Sequence, residues 1–292
     1  MGRNGSKHWG QRNRGMAQTE TAELFEKCFA RIDRAVHHSN EAADIWNELD
    51  VLGLQGISLR IESDGTGELD VRQLEPLPQT LELLIGEYLY QLRAALDGAI
   101  YACAIEDSGQ DPPPKASTIE FPICGSIANW PKQARKIAQL NPGRRRFIEA
   151  LQPFAEPSVD ASLRIANANR SLRFLNDLAR IDRHRRLHTF VTAIGTDSPL
   201  LELPEGVSLK SLAVRSSSND PGPIVKFSLE GWQDAMDLQA NPNADIELSL
   251  EGMPPAAHTN DTFANRLKSI VMNVRIVISL LQKNMWIEPV NN

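Results

Sequence analysis

Residues 172–188 constrain the chain more than any other stretch: Leu-Arg-Phe-Leu-Asn-Asp-Leu-Ala-Arg-Ile-Asp-Arg-His-Arg-Arg-Leu-His. Leu172, Leu175, Leu178 and Ala179, flanked by Phe174 and Ile181, recur at helical spacing, which predicts an amphipathic helix. Continuing that stripe by three or four residues reaches Asp182 and then Arg186. A carboxylate on the inward face of an apolar helix needs a partner, because an unpaired buried charge is costly. The spacing therefore predicts a polar cluster at the C-terminal end of the helix, built from Arg180, Asp182, Arg183, His184 and His188. Asp182 is expected to be neutralised by Arg93 of a neighbouring helix.

Two further long helices have the same signature. Over residues 20–50, Leu24, Cys28, Ile32, Ala35, Val36, Ala43, Trp46 and Leu49 follow three-four spacing. Over 79–106, Leu81, Leu84, Ile85, Tyr88, Leu92, Ala95, Leu96, Ala99 and Cys103 make a broad apolar face. At its edge, Tyr90, Arg93, Asp97 and Tyr101 line up. Arg93 and Asp97 form an i,i+4 pair, worth only ~0.3 kcal/mol on an exposed face. Ile57, Leu59 and Ile61, the turn Asp64-Gly65-Thr66-Gly67, and then Leu69 and Val71 read as a hairpin over 56–73. Short helices are expected near 127–140 and 144–151, separated by Asn141-Pro142-Gly143.

Beyond His188 the period switches to alternation. It predicts strands at 189–194, 207–215, 224–229 and 246–250, with a shorter run at 200–203. A last helix, capped by Thr259, Asn260 or Asp261, reaches Met285 and buries Phe263, Leu267, Ile270, Val274, Val277 or Ile278, and Leu281. The fold class is α+β, a helical bundle with an antiparallel β-sheet inserted before the last long helix. Residues 1–18, with Arg3, Lys7, Arg12 and Arg14 among Gly, Asn and Ser, read as a disordered basic tail without a secretory leader. The rest, 19–292, reads as one domain.

The net charge of −6 is unevenly spread. From Trp130 to Phe190 thirteen Lys or Arg face five Asp or Glu, a balance of +8, which leaves −14 elsewhere. Residues 195–260 hold three basic and ten acidic residues, or −7. The basic 130–190 region is thus a candidate RNA surface, or else it docks on the acidic one. The run 270–281 is interrupted by Asn273 and Arg275, so no membrane span is expected. Cys28, Cys103 and Cys124 contain no CxxC pair, which points to reduced thiols and a cytoplasmic setting. No zinc pattern, phosphate loop or nucleophile elbow is present, so neither metal nor cofactor is expected.

The cluster at 180–188 has two readings. As an active site, His184 or His188 would transfer a proton, Asp182 would orient an imidazole, and Arg93, Arg180 and Arg183 would hold phosphate. As structure, Asp182 would lock helices together through Arg93 or Arg180, with Asp97 in the same polar core. The structural reading is preferred, because ion-pair networks and active sites look alike at this level. Arg183-x4-His188 is similar to the Arg-x(4–6)-His pattern of HEPN ribonucleases, helical bundles that often act as dimers. That resemblance implies a metal-independent ribonuclease and a homodimer. Arg3 with His8, and Arg31 with His37 or His38, satisfy the same pattern.

A second resemblance rests on more residues. Ile85-Gly86-Glu87 through Leu92-Arg93-Ala94-Ala95-Leu96-Asp97 and Tyr101 is one part of it. Phe121-Pro122-Ile123, Leu151-Gln152-Pro153-Phe154 and residues 172–187 are the others. Together these phrases resemble an uncharacterised bacterial protein family over about residues 50–190. The resemblance implies no activity and lends no catalytic residues. Family members commonly carry a His after the Leu-Asp pair, where this chain has Gly98. The preferred expectation is a non-catalytic binding protein with a structural polar core. The alternative is the HEPN-like ribonuclease using Arg183 and His188.

Overall fold

The computed structural model describes residues 5–51, 55–73, 77–155, 163–184, 189–193, 201–214, 222–234, 236–240, 246–250 and 262–284. The fold is mixed α+β. Where the sequence suggests one domain, the residues group into two compact units. The first comprises Met1–His38, Gly86–His184 and Lys268–Asn292; the second comprises Ser39–Ile85 and Arg185–Leu267.

Helix α1 (Gly5–Val51) starts within the stretch read as a tail, and α2 spans Gln79–Ser108. Two short helices follow, α3 (Trp130–Gln133) and α4 (Pro142–Ala150), then α5 (Leu163–His184) and α6 (Phe263–Gln282). In the first unit four of these helices close a ring, with each junction made by named side chains. Arg31 of α1 donates to Gln91 of α2, and Gly98 of α2 lies against Cys28. Advancing from 28 to 31 while falling back from 98 to 91 makes this pair antiparallel. Arg275 of α6 pairs with Asp33 of α1 and lies over Phe29, 5.9 Å from its ring centroid. Asn273 of α6 donates to Ser171 Oγ of α5 at 2.9 Å. Asp182 of α5 closes the ring at Gly86 of α2.

The apolar stripes predicted for α5 and α6 are buried at every position named, Phe174 and Ile181 being half-buried flanks. On α1 the stripe is offset. Phe25 and Ala42 are buried with Cys28, Ile32 and Ala35, whereas Ala43 is exposed and Leu24 and Trp46 are half-buried. The cap of α6 is Thr262, whose Oγ1 accepts from Asn265 N at 3.1 Å; the three caps expected lie outside the described residues. Asn141 caps α4, accepting from Arg144 N at 2.9 Å ahead of a proline at the first helical turn.

The second unit holds the strands: β1 (Gln55–Ile61), β2 (Thr66–Gln73), β3 (Thr189–Ala193), β4 (Leu201–Glu202), β5 (Ser208–Val214), β6 (Val225–Glu230), β7 (Gln239–Ala240) and β8 (Ile246–Leu250). One inserted sheet was the expectation; the strands instead form three antiparallel sheets, β1-β2-β6-β5, β3-β8 and β4-β7. The hairpin β1–β2 belongs to the largest of them, with Leu69 opposite Val225. Its turn is held by Asp64, whose Oδ1 accepts from Thr66 N at 2.9 Å and Oγ1 at 2.6 Å, while Gly65 takes φ 81°. Val225, Phe227 and Leu229 alternate inward with Leu69, Leu201 and Ile224 into one apolar cluster. At the sheet edge, β5 is exposed along most of its length, and Lys210 with a bulge between Leu209 and Ser211 disrupts the open ladder. Among the described residues no helix is long and apolar enough to cross a membrane.

Candidate functional site

The polar residues of α2 gather around the loop at 119–124. Asp97 Oδ1 accepts from Phe121 N at 2.8 Å, and Arg93 NH2 donates to Phe121 O at 3.3 Å. The same NH2 lies 3.8 Å from both Asp97 Oδ1 and Glu120 Oε1, and Glu120 Oε2 lies 2.9 Å from Lys136 Nζ. Gln152, fully buried, grips the next residues from the other side. Its Nε2 donates to Pro122 O and Ile148 O, and its Oε1 accepts from Cys124 N, each at 2.9 Å. Three phrases separated in sequence, around 93–97, 121–123 and 151–154, thus converge on one stretch of backbone. A loop whose backbone leaves water must find such partners, and these side chains supply them.

Burial works against both ions of this clamp. Burial lowers the Arg93 pKa, opposed by Asp97 and Glu120 and reinforced by Arg183. Burial also raises the Asp97 carboxyl, more than Arg93 and the Phe121 N–H lower it. Both partners shift against their ions, so desolvation outweighs their mutual attraction. Arg93 NH1 is buried and has no hydrogen-bond partner among the described residues.

The expected pairing of Asp182 with Arg93 is not what forms. Asp182 is half-buried against Gly86, where a Cβ would lie 2.9 Å from its Oδ1. Gly86 precedes Arg93 by seven residues, about 10 Å along the helix, and Arg93 is drawn instead to Phe121. Among the described residues no ion pair joins the two. Burial, then the neighbouring Glu87, raise the Asp182 carboxyl, while Arg183 lowers it. Helical phase predicted which face Asp182 occupies, but not the height at which it meets α2.

The remaining predicted residues are dispersed. Arg180 and Arg183 are exposed, and Arg183 Nε donates to Ala179 O of its own helix at 3.2 Å. His184 ends α5, and its side chain lies outside the described residues, as does all of His188. Of the predicted site, the structure brings together Arg93 and Asp97, with Arg183 close enough to bear on Arg93.

A second cluster escaped the sequence reading. Arg144 is 1% exposed and pairs with Glu106 and with Asp107 Oδ1 at 2.7 Å. Its NH1 donates to Cys103 O at 3.0 Å, and Asp107 also accepts from Asn141 N and Nδ2. The signal was present: 144, 147, 148 and 151 have i, i+3, i+4, i+7 spacing, which puts an arginine on an apolar stripe. A buried guanidinium flanked by two acids joins α4 to the end of α2 as a structural lock.

Two of the three thiols, Cys28 and Cys103, are not poised to react. Burial pushes Cys28 up to about 11 and Cys103 up to about 12, so both are protonated at neutral pH. Gly98 also has a steric account, since a Cβ there would lie 3.0 Å from Cys28 Sγ. A larger side chain at 98 would press on that sulfur at the contact of α1 with α2. No family model, curated protein or solved structure matches the chain.

Proposed function

We propose that the protein is a non-catalytic binding protein whose helical unit is a rigid support for a partner-binding surface. One observation carries this reading. Half-buried Arg93 and Asp97 and fully buried Gln152, the polar side chains gathered at this loop, are occupied by the backbone of residues 121–124. A general base must have its lone pair within reach of a substrate proton. Asp97 instead accepts from an internal amide, and the arginine beside it is held by an internal carbonyl and two acids. Asp182 faces α2 at Gly86.

The test is incubation of the purified full chain with end-labelled RNA, beside a His184→Ala/His188→Ala double variant. The expected result is intact RNA in both samples. RNA decay with the parent chain that disappears in the double variant would replace this reading with the ribonuclease built on Arg183 and His188.

A further inference from the structure

The solvent face of α5 has an unusual composition. Between 167 and 183, the exposed positions are Asn167 and four arginines, 170, 173, 180 and 183. The 22-residue helix contains five arginines, no lysine and two aspartates. Among the described residues Arg170, Arg173 and Arg180 make no ion pair or side-chain hydrogen bond. Arg183 is turned to its own Ala179 carbonyl. Asp177, half-buried between Arg173 and Arg180, is the one acid near the middle of the row, and Asp182 is directed to Gly86.

At 100° per residue, the four arginines occupy an arc of about 140°, and they extend along about 20 Å of helix. Like charges at this density repel one another, and a protein surface normally intersperses acids among them. A face with three unpaired guanidinium groups, and a fourth bonded through its Nε, is matched by an extended polyanion, and the planar fork of arginine suits phosphate oxygens better than an ammonium does.

We infer that this face of α5 docks on the phosphate backbone of duplex DNA, without reading sequence. The inference rests on the binding-protein reading and names its partner. Three features select the partner. The contact element is an α-helix about 10–12 Å across, which the roughly 12 Å major groove of B-form DNA accommodates and the narrow major groove of an RNA duplex does not. Asn167, one turn before Arg170, is the one exposed amide between 167 and 183, and the other exposed positions there are arginines, so the contacts are chiefly to phosphate. Aromatic residues make up 6% of the chain and none is exposed on this stretch, which argues against stacking of single-stranded bases.

The experiment is fluorescence anisotropy of a labelled 20-base-pair DNA duplex of arbitrary sequence, titrated with the full chain from low to moderate salt. Four phosphate contacts predict that log K falls with log salt at a slope of about −3.6. The variant Arg170→Gln/Arg173→Gln/Arg180→Gln, checked for helix content by circular dichroism, should bind at least tenfold more weakly at low salt. Its slope should be shallower by about 2.7. A control, Lys132→Gln/Arg135→Gln, removes exposed positive charge elsewhere and should bind as the parent does. No binding at low salt, equal loss in both variants, or tighter binding to the same sequence as duplex RNA or to polyglutamate would overturn the inference. Strand length after incubation separates the two proposals: cleaved DNA defeats the non-catalytic reading, whereas absent binding defeats only the assignment of this face.

Discussion

Replacing Gln152 by leucine is the sharpest perturbation of the clamp. The side chain is fully buried and makes three hydrogen bonds, to Pro122 O, Ile148 O and Cys124 N. Leucine has similar volume, so the transfer and cavity costs of a large-to-small change are largely avoided. What remains is the loss of partners for the Cys124 amide and the Pro122 carbonyl. Each buried group left unsatisfied costs about 1–3 kcal/mol, or roughly 2–6 kcal/mol for the two. For a chain of this size each kcal/mol moves Tm by about 2–4 °C, so a fall of roughly 4–24 °C follows. Denaturant unfolding read by circular dichroism and tryptophan fluorescence measures the first figure, and thermal melting the second. Gln152→Glu supplies a control: it keeps the acceptor but buries a charge, so part of its loss should be recovered at acid pH as the carboxyl protonates. A Gln152→Leu variant within about 1 kcal/mol of the parent would refute the reasoning.

Other consequences can be checked separately. Arg144→Met should cost about 3–5 kcal/mol in denaturant unfolding, because Glu106 and Asp107 are left without their cation; a loss under about 1 kcal/mol would contradict the lock. Gly98→Ala gains about 1 kcal/mol of helix propensity but presses on Cys28 Sγ, an overpacking cost of about 1–3 kcal/mol. In a Cys28→Ala background the clash is gone and the same change should stabilise by about 1 kcal/mol, so equal effects in both backgrounds would refute the contact. Asp97 has a raised carboxyl pKa, so the folded state binds its proton more tightly than the unfolded one does. Its favourable contribution is complete below the ordinary value of 3.8 and is lost as pH rises through the raised one. Stability of the parent relative to Asp97→Asn should therefore decline across that window and level off above it; a constant difference from pH 3 to pH 7 would count against the raised Asp97 carboxyl.

Much of this architecture was legible because it is local. The stripes of α2, α5 and α6 follow from three-four spacing, and β8 falls at the predicted residues 246–250. The two-residue strand β7 carries no alternation to read. The pairing of the 66–69 stretch with 225–228 was not accessible either, since register between segments so far apart depends on packing that no window of sequence contains. For the candidate site, periodicity placed Asp182 toward the bundle and Arg93 beside Asp97. It was silent on which partner each would meet, because helical phase leaves axial height undetermined. Arg93 lies two helical turns beyond the point where Asp182 reaches α2. Gln152 carried no periodic signature, and its role appears only in the hydrogen bonds it makes to residues 122, 124 and 148. Arg144 was readable from its place on the α4 stripe, and the general assumption that arginines face water concealed it.

The central claim is that polar side chains of the helical unit hold the 121–124 backbone. Residue-resolved amide hydrogen exchange of the parent and of Asp97→Ala measures this at the atoms concerned. Phe121 N–H, held by Asp97, and Cys124 N–H, held by Gln152, should both be protected in the parent. In the variant, protection at Phe121 should fall at least tenfold while Cys124 keeps most of its own. Unchanged exchange at Phe121 would contradict the clamp and, with it, the argument that these residues are occupied by structure.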